Sequence, residues 1–437
     1  MDPETEPLLA SNHHSSHGPA KDIEKVTWRT ETLLILRQTT PLIATYLLQY
    51  IFSLTAIIVC SRLSTTELAA ASLGLTTSNI IGLAVWEGMA TALDTLCAQA
   101  YGGGNPEMVG VHVLRFTILV HLVAVPIGGF WITSPWIMPY LTPDAELAEG
   151  ASTFLQWYAV GIPGYAMFEA GKRFVQAQGN FTSGLGVLVV CVPVNIFLNW
   201  LLVFRLELRI VGAALAAALT NLIRPVLLAG DVVFIHRQTL KCWPSHLSWV
   251  LVFANWGPMV RLAVPGAAMT LSEWLAFEAL TFVTSYAGVE QLAAQTYLAT
   301  ISVVVWHVHF SGSVVTSTRL GRLIGSGQLE TAREVSWFYF CIFIGMAVFD
   351  VALFVVLIEV VLSHLTSNKL VEAALRGAIP FAIVFTFCDC MATCMHGTIR
   401  GLGWHHIGGW VTGIFNYLYA VPLALVLELG PPRMGKV

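Results

Sequence analysis

Residues 41–72 read PLIATYLLQYIFSLTAIIVCSRLSTTELAAAS, and residues 265–296 read PGAAMTLSEWLAFEALTFVTSYAGVEQLAAQT. The two prolines lie 224 positions apart (265 − 41), and without a gap Leu68-Ala69-Ala70 falls on Leu292-Ala293-Ala294. At the same offset Gly179 falls on Gly403, and Gly102 falls near Gly325. Both segments are strongly apolar. A membrane chain of two like halves is the usual plan of a secondary transporter, with its substrate site between the halves near the bilayer midplane.

Composition agrees. The chain has 437 residues, 56% hydrophobic and only 11% charged, with mean hydropathy +0.71, whereas a soluble domain carries about 25% charged residues. A net charge of −4 without any basic run offers nothing to nucleic acid. The eight cysteines lie mostly inside apolar stretches and read as small packing residues rather than a disulfide framework. There is no histidine-rich metal motif, nucleophile elbow or phosphate loop, so no catalytic residue or metal site is assigned and an enzyme is not expected.

Spans are predicted at roughly 33–60, 68–96, 110–134, 150–171, 183–204, 210–236, 258–286, 290–316, 335–362, 376–398 and 405–428. Each holds the run of about 20 apolar residues a bilayer requires. They are helices, because every backbone amide must be satisfied without water and no strand alternation appears. The domains are then a disordered cytoplasmic tail (1–32), a six-helix N-lobe (33–238), a linker (239–257) and a C-lobe with five visible helices (258–437). Six spans return the chain to its starting side, so the two lobes run in the same sense, related by an axis along the membrane normal. Adding the offset to the sixth span places its partner near 434–460, past Val437, so the reading has the last helix missing.

Basic residues set the orientation. With a cytoplasmic tail, the inside collects Lys21, Lys25, Arg29, Lys172, Arg173, Arg237, Lys241, Arg319, Arg322, Arg333 and Arg400, and the outside keeps Arg62, Arg205, Arg209, Lys369 and Arg376. Glu4-Thr5-Glu6-Pro7-Leu8-Leu9 fits an acidic dileucine sorting signal, and the histidines from His13 to His17 read as plain tail. The membrane is expected to be vacuolar or plasma membrane.

The stretch EGMATALDTLCAQAYGGG (87–104) resembles the signature ending the second helix of the multidrug and toxic compound extrusion (MATE) transporters of eukaryotes. ELAAASL (67–73), KRFVQAQG (172–179), PVNIFLNWLLVF (193–204), GAALAAALTN (212–221), PGAAMTLSEWLAFE (265–278) and RGLGWHHIG (400–408) extend the resemblance, in order and spacing, across about 33–428. It is fungal-like in character. It implies two six-helix lobes around a central cavity and exchange of an inward-moving cation for an outgoing organic compound. In eukaryotic members that cation is usually a proton, with sodium the less expected choice. No bound cofactor is called for, and the partners are the bilayer and a small cationic or amphipathic organic substrate. The chain is expected to act as a monomer.

Charges inside spans are costly and usually face a cavity or a partner. Glu273 lies eight residues beyond Pro265, and its repeat partner is Gln49 (273 − 224), so only the second half places a titratable group there. A carboxylate in a desolvated cavity holds its proton more firmly, because its charged form loses hydration. Such a group can carry a proton between two faces of a membrane or pair with a cation. The match of SEWLAFE to the family's acidic pattern supports Glu273 and adds Glu278. The two are about 140° apart around a helix, so they cannot face one point. The resemblance also places an acidic cavity residue at Asp389 in the tenth span. Gln49, Asn195 and Asn199 are uncharged candidates to line the cavity of the first lobe, with interhelical bonding as the alternative for the two asparagines. Asp94, which shares a helix face with Glu87 seven residues before it, reads as structural, and Glu169 with Arg173 reads as a local i,i+4 ion pair. Asp350 stands alone in its span, and His307 and His309 point to different sides, so one of them is a candidate proton relay. Four candidate metal ligands, Cys388, Cys390, Cys394 and His396, do not share one face. A lipid-linked flippase would want a basic cavity. The spans offer few central cations, Arg224 being the main one.

Overall fold

The computed structural model describes residues 26–142, 144–246, 248–284, 288–364 and 368–429. The dileucine run and the histidines from His13 to His17 lie outside them. The described residues form an all-helical molecule of long apolar helices. The N-lobe holds α1 (Trp28–Ser61), α2 (Thr65–Gly102), α3 (Pro106–Ile132), α4 (Ala145–Tyr158 and Ile162–Ala177, joined by a tight turn), α5 (Thr182–Arg205) and α6 (Arg209–Ile235). The C-lobe holds α7 (Gly257–Thr284), α8 (Val289–Gly325), α9 (Leu329–His364), α10 (Lys369–Leu402) and α11 (His405–Ile414, Phe415–Ala420 and Val421–Leu429). Among the described residues, nine helices are long and apolar enough to cross a membrane by length and composition.

The offset of 224 governs local structure as well as sequence. α2 starts at Thr65 and α8 at Val289; α4 starts at Ala145 and α10 at Lys369. The caps repeat too. Asp144 accepts from the backbone N–H of Glu146 and Leu147, and Asn368 accepts from that of Leu370. An Asx side chain thus satisfies donors that a helix start leaves free in both lobes. Past the other end of these helices stand Gly179 and Gly403, with φ of +83° and +78°, the left-handed conformation that terminates a helix and that glycine adopts without strain. Between the lobes, α1 packs on α8 and α7 packs on α2, which is the same pairing under the offset, while α2 and α8 cross each other.

α1 begins at Trp28, capped by Thr27, inside the stretch read as tail. The stretch read as linker contains a 3-10 turn (Arg237–Cys242) and a short helix (Trp249–Phe253) before α7 begins at Gly257. Arg115 of α3 fixes that short helix by donating to the carbonyls of Leu251 and Val252 at 2.7 and 3.3 Å. The described cysteines are all free thiols, most of them buried.

Candidate functional site

The lobes face each other across α2, α7, α8 and α10, which together line a small pocket of about 30 Å³. That space suits a water rather than an organic molecule. α2 contributes Glu87 and Thr91; α7 contributes Met269, Thr270 and Glu273; α8 contributes Trp306 and Phe310, stacked with ring centroids 4.3 Å apart; α10 contributes Thr393, His396 and Arg400. Glu273 Oε1 lies 3.3 Å from His396 Nδ1, and both side chains are partly exposed. Asp389 sits two turns before His396 on α10, 27% exposed.

The N-lobe places a different group at the matching point. Gln49 and Lys172 stand where the C-lobe has Glu273 and His396 (273 − 49 and 396 − 172 are both 224). Lys172 donates to Gln49 Oε1 at 3.2 Å and pairs with Glu169 Oε1 at 2.6 Å. Its ammonium also lies 5.2 Å from the Tyr46 ring centre and 5.4 Å from that of Phe168. Arg173 pairs with Asp94 of α2 at 2.9 Å and reaches Glu169 only at 3.9 Å. Glu87 accepts from Tyr165 Oη at 2.6 Å. Lys172 and Arg173 are therefore neutralised by Glu169 and Asp94, while Arg224 lies over the Phe52 ring at 4.1 Å. A buried charge persists only when it is paired and hydrogen-bonded.

Several expectations change. The i,i+4 partner expected for Arg173 is the distant one, and Asp94 on another helix is the close one. Lys172, Arg173 and Arg400, counted as cytoplasmic loop charges, are buried between helices, and Arg319 and Arg322 are tied to helix partners. Removing these five leaves Lys21, Lys25, Arg29, Arg237, Lys241 and Arg333 against Arg62, Arg205, Arg209, Lys369 and Arg376, a nearly even count. Lys172, Arg173 and Arg400 also overturn the reading that Arg224 is the main cation within the spans. Asn195 and Asn199 are buried in the seam of α5 and α6. Asn195 donates to Thr220 Oγ1 of α6 at 2.9 Å and so joins the two helices, Asn199 donates to Asn195 O of its own helix at 2.9 Å, and neither is among the residues lining the pocket. Glu278 is exposed on α7 and does not reach the pocket. Asp350 is not alone: His309 bridges it to Asp389.

One end of the interface is sewn shut. Arg322 of α8 donates to the carbonyl of Ala177, the last residue of α4, at 2.9 and 2.7 Å. At the matching point of the other lobe, Gln99 of α2 donates to the carbonyl of Gly401 in α10 at 3.2 Å. Thr95 donates to the Arg400 carbonyl, and the Arg400 guanidinium reaches Ser313 and, at 3.7 Å, Asp94. Arg319 pairs with Glu31 of α1 at 2.6 Å. Such approach needs bare backbone: a Cβ on Gly102 would strike the carbonyl of Arg322, and one on Gly325 that of Gln99.

The sequence profile of the MatE family matches residues 41–201 and 265–426, one copy in each lobe. The chain belongs to the MatE family. An uncharacterized transporter of Schizosaccharomyces pombe is 34% identical over 93% of this chain and 75% of its own length. One of Saccharomyces cerevisiae is 32% identical over 92% of this chain, which spans 58% of that relative. Multidrug and toxin extrusion protein 2 of Mus musculus is 27% identical over 91% of this chain and 69% of its own. The crystal structure of a eukaryotic MATE transporter superposes with TM-score 0.84 at 23% identity, covering 94% of this chain and 91% of the other, and so shares the fold. As a MatE-family member with this fold, the protein is a multi-pass secondary transporter for small organic compounds and not an enzyme.

Proposed function

We propose that this MatE-family protein exports organic cations by exchange for protons, with Glu273 and Asp389 of the C-lobe as the coupling carboxylates. The observation that carries this is the placement of Glu273 beside His396 in the pocket wall, where the N-lobe has Gln49 beside Lys172. The pocket thus has one titratable acid-base pair in direct contact, while the Arg400 guanidinium in the same wall is directed to Ser313 and Asp94. Protonating Glu273 removes the charge that would hold a cationic substrate, so proton and substrate compete for one carboxylate. Alternating access follows if the sewn end opens as the other closes, with the lobes rocking about α2 and α8. We place that sewn end at the cytoplasm, which makes this arrangement the outward-facing one. Asp389 lies on the same helix as His396, close enough to share its field. Lys172, Arg173 and Arg400 each face a carboxylate and Arg224 lies over the Phe52 ring at 4.1 Å, which does not favour a phosphate-bearing lipid as substrate.

The test is ethidium movement in proteoliposomes under an imposed pH gradient. Wild type moves dye with the gradient, and Glu273→Gln loses that dependence while remaining folded. Transport that follows a sodium gradient instead, or a Glu273→Gln variant as pH-driven as wild type, would sink the reading.

A further inference from the structure

His309 is a histidine with both ring nitrogens committed to carboxylates on different helices. Its Nδ1 lies 2.8 Å from Asp350 Oδ2 of α9 and its Nε2 lies 3.2 Å from Asp389 Oδ2 of α10. His309 is 1% exposed and Asp350 is fully buried, whereas Asp389 is 27% exposed. The triad runs from a partly exposed carboxylate into the heart of the lobe.

The hydrogen bonds fix how many protons the triad holds. An ionised carboxylate only accepts, and a neutral imidazole donates through one nitrogen alone. Filling both contacts therefore takes two protons, either as imidazolium between two carboxylates or as neutral imidazole between one carboxylate and one carboxylic acid. Both forms carry a net charge of −1. Losing one proton would leave −2 in a dry site and two lone pairs facing each other, and buried charge without compensation is expensive. Gaining one proton makes the triad neutral.

We propose that His309 and Asp350 are a proton store behind Asp389, so that the C-lobe takes up coupling protons at this triad as well as at Glu273. In the −1 form with a neutral imidazole, Nδ1–H donates to Asp350 and the second proton sits on Asp389 as an O–H that donates to Nε2. That O–H breaks as an N–H forms at Nε2, while the N–H at Nδ1 breaks and an O–H forms on Asp350. The imidazole ends neutral with its proton on the other nitrogen, and Asp389, ionised again, takes the incoming proton from the cleft as a new O–H bond, which makes the triad neutral. No oxidant or metal is needed. Three candidate metal ligands do gather here, His309, Asp350 and Cys390. Ligands of one tetrahedral zinc, each about 2.0–2.1 Å from the metal, stand about 3.3 Å apart, whereas Nδ1 and Oδ2 are at hydrogen-bond distance.

The groups around the triad are few. From α10 come Asp389 and Cys390, whose thiol donates to the Phe343 carbonyl at 3.7 Å, with His396 and Arg400 further along. α9 gives Asp350, and α7 gives Glu273 across the pocket. On α8 itself His307 lies two residues away, against Tyr46 and Tyr50 of α1. α2 contributes Glu87 at the pocket and Asp94 behind Arg400.

The inference rests on the proton-exchange reading but is tested apart from transport. The full chain in lipid nanodiscs is titrated while infrared difference spectra follow the carboxyl C=O bands and a pH dye counts protons. Asp350→Asn should remove one buried carboxyl band and lower the count by one. His309→Gln should move the Asp389 band's midpoint by about one pH unit or more, a tenfold change in its proton affinity. Asp350→Glu should restore both, which separates lost chemistry from lost folding. An unchanged proton count and Asp389 midpoint in folded Asp350→Asn and His309→Gln would overturn the store, as would bands that answer to Zn²⁺ and not to pH. Wild type that shows this titration but moves no dye with the gradient would overturn the proposed function and leave the store standing.

Discussion

The two lobes share a backbone plan and differ in their chemistry. The offset of 224 aligns helix starts, Asx caps, left-handed glycines and even the carbonyls that accept across the interface, Ala177 and Gly401. It also aligns Gln49–Lys172 with Glu273–His396, and there the likeness ends. In the N-lobe Lys172 and Arg173 are buried against Glu169 and Asp94, and Arg224 lies over the Phe52 ring. In the C-lobe Glu273 and Asp389 are partly exposed, Asp350 is buried, and the neighbours of all three are histidines. A lysine or arginine paired with a carboxylate is a fixed element at physiological pH, whereas histidine is the side chain that changes charge there. On the proposed reading the N-lobe is a fixed wall and the C-lobe carries the switch.

The largest break in that contrast is Asp94→Ala. It strands Arg173 and Arg400, so removing one partner of these buried pairs should cost about 3–5 kcal/mol, read as a fall in thermal midpoint. The same position in the other lobe is Thr318, which bonds only its own helix at 3.0 Å; Thr318→Ala should cost about 1 kcal/mol. Equal losses would mean that the N-lobe charges are not a wall. Next come Gly102→Ala and Gly325→Ala, which sharpen the comparison from the symmetric side. Each overpacks the α2–α8 crossing, each should cost about 1–3 kcal/mol, and the two values should agree. Unequal ones would show the seal to be lopsided. The smallest effect is Asn195→Ala, a lost interhelical bond worth about 1 kcal/mol, with ethidium transport retained. Loss of transport in a stable variant would return Asn195 to the pocket.

Much of this was legible in the sequence. The repeat, the apolar spans and Glu273 opposite Gln49 follow from one offset. The same offset sets Lys172 on His396, so the Glu273–His396 pair could have been foreseen from Gln49 and Lys172 together. What hid the rest was distance along the chain. Arg173 meets Asp94, and His309 meets Asp350 and Asp389, through helix packing that periodicity does not encode. Arg173 and Arg400 looked like loop charges because they stand near helix ends, but these helices come together at their ends. Asn195 and Asn199 do share a helix face as their spacing requires, and that face turned out to point at α6.

The seal at the sewn end draws on a resource every helix possesses. The last four carbonyls of a helix have no partner within it, and Ala177, Arg400 and Gly401 offer such carbonyls to donors from the opposite lobe. In these three contacts the accepting side is main chain, so substitutions there leave those teeth in place and only the donors Thr95, Gln99 and Arg322 are keyed by residue type, whereas the Arg319–Glu31 and Arg400–Asp94 pairs are keyed on both sides. When the lobes part, water takes over the same carbonyls, and each exchange is worth only about 0.5–1.5 kcal/mol net. A latch made this way holds firmly as a set yet yields tooth by tooth, within reach of the free energy that one or two protons deliver.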